Sequence, residues 1–60
     1  DALSEIMSFL RQKSNKSANM TDIINHMDMD REFVKDVVHK GVAQKLLRKQ
    51  SNRYYIIEGA

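Results

Sequence analysis

The residues best suited to do chemistry in this chain are cationic, and they are gathered. From Lys40 to Arg53 stand Lys40, Lys45, Arg48, Lys49 and Arg53, with no acid among them. Such side chains donate to phosphate oxygens and displace the counterions of a polyanion. Ser51 and Asn52, set between them, can donate to the same oxygens. A second acid-free cluster, Arg11, Lys13 and Lys16 with Asn15, lies upstream. A basic run is often no more than a solvated face. Its acid-free length here favours an anionic partner.

Other chemistries have little to stand on. His26 and His39 are far apart, with no cysteine in the chain, so no zinc site is expected. No glycine-rich phosphate loop or nucleophile elbow is present, and 60 residues leave little room for a catalytic cleft. The chain is therefore expected to be no enzyme, with no cofactor and no small-molecule ligand. The net charge of +2 permits nucleic-acid binding without requiring it. The longest apolar run, Tyr54 to Ile57, is far shorter than the roughly 20 residues of a membrane span. No membrane association is expected, and the lack of cysteine fits an intracellular, reducing setting. One domain is expected over residues 1–60, and the missing initiator methionine points to a piece of a longer protein.

Hydrophobic spacing sets the elements that must hold these residues. Leu3, Ile6, Met7 and Leu10 recur at helical intervals, predicting a helix over Ala2 to Lys13 with Phe9 at its edge. Ser14 to Asn19 reads as a loop, and Ala18 to Met20 as a short extended segment. Thr21 is the expected N-cap of a second helix to Met27, with Ile23, Ile24 and Met27 inward. Asp30 is the expected N-cap of a third helix reaching about Gln44, with Met29 as a hydrophobic staple. Phe33, Val34, Val37, Val38, Gly41 and Val42 form its apolar stripe, which places Gly41 inside the helix. The four methionines are expected at core and staple positions. Leu46 to Arg48 and Arg53 to Ile57 read as strands, with Lys49 to Asn52 as a turn in which Asn52 is able to take positive φ. Tyr54 and Tyr55 then point to opposite faces, one to the core and one outward. Glu58 to Ala60 is a tail.

The outward side of the third helix carries Arg31, Glu32, Lys35, Asp36, His39 and Lys40. Glu32 and Asp36 are like charges at i, i+4, and so are Arg31 and Lys35. Crossed pairs, Glu32 with Lys35 and Asp36 with Lys40, would relieve them. The two acids weigh against this face as a simple reader of DNA.

The order helix, extended segment, helix, turn, helix, hairpin resembles the winged-helix family. NMTDIINHM is similar to that family's short strand and second helix. DMDREFVKDVV resembles its turn and third helix, and KLLRKQSNRYYII its hairpin, or wing. The resemblance spans about Leu3 to Ile57 and rests on patterns of hydrophobicity rather than fixed letters. It departs at Lys45, where many members carry glycine. The resemblance implies a small α+β winged helix of order α-β-α-α-β-β. It also implies double-stranded DNA as partner, within a regulator or a replication or repair protein. The third helix would enter the major groove, with Arg31, Lys35, His39 and Lys40 as contacts. Lys45, Arg48, Lys49, Asn52 and Arg53 would hold phosphates. Winged-helix domains also serve as protein-interaction or dimerisation modules, and the exposed side of the hairpin would then receive a protein partner or a second copy. Members specialised for left-handed DNA carry a proline-rich wing and a tyrosine in the third helix. This chain has no proline, and His39 stands near that tyrosine's place.

Overall fold

The computed structural model describes residues 1–57. Three helices and three strands follow one another as α1 (Ala2–Gln12), β1 (Ser17–Asn19), α2 (Met20–Met27), α3 (Arg31–Ala43), β2 (Leu47–Gln50) and β3 (Arg53–Ile56). This is the expected α+β order. The tail expected at Glu58 to Ala60 lies outside the described residues.

Each helix starts on a polar cap. Asp1 Oδ1 accepts from Ser4 N–H at 2.8 Å, and Asp30 Oδ2 accepts from Phe33 N–H at 3.2 Å. At α2 the expected cap is displaced. Asn19, not Thr21, is the N-cap, its Oδ1 accepting from Asp22 N–H at 2.8 Å. Asparagine caps better than threonine, and Asn19 already has the extended backbone a cap needs (φ −85°, ψ 170°). One residue thus closes β1 and opens α2, and the extended segment falls at Ser17–Asn19 rather than Ala18–Met20.

The core is where the three helices meet one face of the sheet. Ile6 and Leu10 of α1, Ile23 and Met27 of α2, and Val34 and Val38 of α3 are buried against Ala18, Leu47, Tyr54 and Ile56. The strands lie in the order β1-β3-β2, antiparallel throughout. Ala18 sits opposite Tyr54 and Leu47 opposite Ile56, so these four share the inner face. Tyr55 points outward and is half-buried, as the alternation requires.

Gly41 lies inside α3 and is buried. A Cβ there would stand 2.8 Å from Leu47 Cδ1 and 2.9 Å from Leu3 Cδ1. The glycine therefore lets α3 approach both the sheet and α1. The helix ends three residues later in a Schellman arrangement: Leu46 N–H donates to Gly41 C=O at 2.9 Å and Lys45 N–H to Val42 C=O at 3.0 Å. Lys45 holds the left-handed position, φ 63°, where glycine is the usual residue.

Three further expectations are corrected. Phe33 is 48% exposed and Met29 46% exposed, so neither joins the core. Phe33 lies about 100° around the helix from Val34 and falls outside the line that Val34, Val38 and Gly41 press inward. Met29 precedes the helix and is not held as a staple would be. The hairpin is also tighter than expected. β2 runs to Gln50, which pairs with Arg53, leaving only Ser51 and Asn52 in the turn. Positive φ falls on Ser51 (φ 56°), not Asn52, the pattern of a type II′ turn.

Candidate nucleic-acid interface

The basic residues do not converge on one surface. Lys49 and Asn52 line a cleft of about 370 Å³ together with Asn19, Met20, Thr21 and Tyr54. One wall is the inner face of the hairpin beyond the core, where Lys49 sits opposite Tyr54 across the strands. The other is the first turn of α2. The early N–H groups of a helix lack intrahelical partners and carry its positive end. The cleft therefore joins an ammonium, an amide, a hydroxyl and a helix start, all suited to oxygen-rich anions. Asp22 stands exposed in the same turn and opposes that charge; Asn19 already occupies its N–H.

Arg48 lies on the outer face of the hairpin. Its guanidinium rests 4.6 Å from the centre of the Tyr55 ring and donates to Gln50 Oε1 at 2.6 Å. The outward tyrosine is thus covered by an arginine. Arg53, on the same face, is committed inward. Its Nε donates to Ser17 Oγ at 3.0 Å and a terminal nitrogen to Ser17 C=O at 3.2 Å. Ser17 is fully buried, and this fork satisfies its hydroxyl. Arg53 fastens β1 to β3 at the turn end of the hairpin.

The third-helix residues divide further. Arg31 and His39 are exposed, and Lys35 Nζ lies 4.0 Å from Glu32 Oε2, the expected i, i+3 pair. Such an exposed pair contributes only a few tenths of a kcal/mol. Lys40 turns away from the cleft and lines a second groove with Asp1, Ala2, Leu3, Phe33, Val37 and Gln44. Lys45 is exposed at the end of α3. His26 stacks on Phe9 at 4.1 Å between ring centres and approaches Glu5 at 3.9 Å. Lys13 covers the Phe9 ring at 4.9 Å, and Lys16 Nζ donates to Arg11 C=O at 2.8 Å near the end of α1.

Asn19, Met20, Thr21 and Tyr54 were not expected at this interface. Asn19 had a readable signal, an asparagine three residues before Asp22 at a helix start. Tyr54 comes with the hairpin itself, opposite Lys49, whereas Met20 and Thr21 reach the cleft because β3 lies between β1 and β2, which no local pattern specifies.

No helix among the described residues is long and apolar enough to cross a membrane. Comparison with family models, with curated proteins and with solved structures gives no match.

Proposed function

We propose that this is a winged-helix domain that binds double-stranded nucleic acid, most naturally DNA, through the hairpin and the start of α2. One observation carries the reading: Lys49 and Asn52 face the first turn of α2 across a single open cleft. A phosphate seated there would accept from the Lys49 ammonium, the Asn52 amide and the Thr21 hydroxyl. The exposed side chains of α3, Arg31 and His39 foremost, would then lie along the duplex. Lys45 and Arg48 would add cationic contacts at the flanks. Arg53 acts by positioning the hairpin, and Lys40 belongs to the other groove. The mixed charge of α3 makes it a weak reader of base sequence, so phosphate contacts dominate and binding discriminates little between sequences.

The test is an NMR titration of the chain with duplex DNA, single-stranded DNA and RNA at low and moderate salt. The duplex is expected to shift the amides of residues 19–21 and 48–53 first and most, and those of 31, 35 and 39 less. Shifts confined to α1, or none with any nucleic acid, would remove the proposal.

The protein-interaction reading has a separate surface in its favour. Phe33 and Met29 are the large apolar side chains left exposed among the described residues, and Phe33 borders the groove that Lys40 lines.

A further inference from the structure

The groove between the start of α1 and the outer side of α3 has a volume of about 330 Å³. Its apolar lining comes from Ala2, Leu3, Phe33 and Val37, and its polar lining from Asp1, Lys40 and Gln44. Phe33, 48% exposed, stands at its rim. An exposed aromatic knob and an apolar groove able to take a knob thus occupy the same patch. A twofold contact requires this, since each copy must offer both the inserting and the receiving part.

Charge along α3 specifies the direction. At about 100° per residue, Lys40 lies on the groove side of α3 with Phe33, Val37 and Gln44, and Asp36 stands about 40° from it one turn earlier, whereas Arg31, Glu32, Lys35 and Lys45 lie about 100° or more around the helix from Phe33. Two copies of α3 laid antiparallel bring Asp36 of each toward Lys40 of the other, and oppose their dipoles favourably. A parallel pair would set Lys40 against Lys40 and Asp36 against Asp36. A uniformly acidic or basic partner would suit only one of the two charges.

We propose that the chain associates with a second copy of itself through this groove, α3 against α3 and antiparallel. Val37 lies near the twofold axis. Phe33 of each copy enters the groove of the other, beside the second copy's Leu3 and Gln44, and Lys40 of each falls beside Asp36 of the other. A standard stable interface covers about 800 Å² and about 20–30 residues per partner, roughly a fifth of this chain's 3991 Å² surface, against the seven residues that line the groove. The dimer is therefore weak and depends on concentration. The cleft at the hairpin is not part of the contact, so the inference stands apart from nucleic-acid binding.

Sedimentation equilibrium without nucleic acid, over about a hundredfold range of concentration reaching the millimolar, tests it. The wild-type chain is expected to pass from monomer toward dimer. Phe33→Glu is expected to remain monomeric. It keeps the fold, because residue 33 is the third position of α3, where glutamate suits the helix start. Amide dispersion in the NMR spectrum checks this, and Phe33→Ala offers a milder second variant. Lys40→Glu and Asp36→Lys are each expected to weaken the dimer. The double variant Asp36→Lys/Lys40→Glu is expected to restore it, since the exchanged charges meet again across the axis. A wild-type chain that is monomeric throughout overturns the proposal. So does a dimer indifferent to both Phe33 variants, or a double variant no stronger than the singles.

Discussion

Arg53 shows how the role of a charge is decided by what its side chain already holds. In sequence it is one of five cations in an acid-free run and reads as a phosphate ligand. In the fold, two of its nitrogens are spent on Ser17, whose hydroxyl would otherwise be buried with no partner. Lysine keeps the charge but cannot reproduce a planar fork. Arg53→Lys is therefore expected to cost about 1–2 kcal/mol, the cost of leaving a buried hydroxyl unpaired. Urea denaturation reads this as a lower midpoint at unchanged slope. Ser17→Ala should absorb most of the effect, so that Arg53→Lys made on that background costs far less. Equal losses on both backgrounds would show that the fork does not hold the strands.

At the scale of elements, the clear parts of the sequence are those where one local force acts alone. α1 is legible from Leu3, Ile6 and Leu10, and the start of α3 from Asp30. The place of Gly41 follows from its position on the apolar stripe. Where two local preferences compete, the sequence misleads by a residue. Asn19 outbids Thr21 as a cap because it is also the last residue of a strand, and that strand exists only through pairing with β3. Ser51 takes positive φ instead of Asn52 because the Gln50–Arg53 pair shortens the loop to two residues. The cleft was half legible for the same reason. Lys49 and Asn52 are visible as a basic hairpin, but their facing wall is set by sheet order. The turn supplies a test of this account. Type II′ turns favour glycine at their first central residue, and serine there bears a left-handed strain. Ser51→Gly is expected to raise stability by about 0.5 kcal/mol, the relief of strain exceeding the added freedom of the unfolded chain. Asn52→Gly, at a position without positive φ, is expected to lower it. Thermal melts of the two variants decide the assignment, and the reverse order would place the positive φ on Asn52.

For the whole molecule, size and the division of charge between two grooves fix how it should respond to salt. Its longest dimension is 29 Å, less than the roughly 34 Å of one duplex turn, so a single copy on a duplex would reach few phosphates. Each phosphate neutralised contributes about −0.9 to the slope of log K against log salt concentration. With Lys49 and two or three flanking cations engaged, a slope of about −3 is expected for duplex DNA. The identity of those cations is a question of geometry rather than of charge count. Lys49 lines the cleft with the start of α2, and Lys40 lines the opposite groove with Leu3 and Phe33. Lys49→Gln is expected to flatten the slope by about 0.9 and to weaken binding equally on unrelated duplex sequences. Lys40→Gln removes the same formal charge and is expected to leave the slope within about 0.3 of the wild type, through screening alone. Fluorescence anisotropy of a labelled duplex, measured between low and physiological salt, gives all three slopes. Equal flattening by both variants would mean that net charge, not the cleft, drives binding. A larger effect at Lys40 would move the duplex to the α1–α3 groove and set it in competition with the second copy.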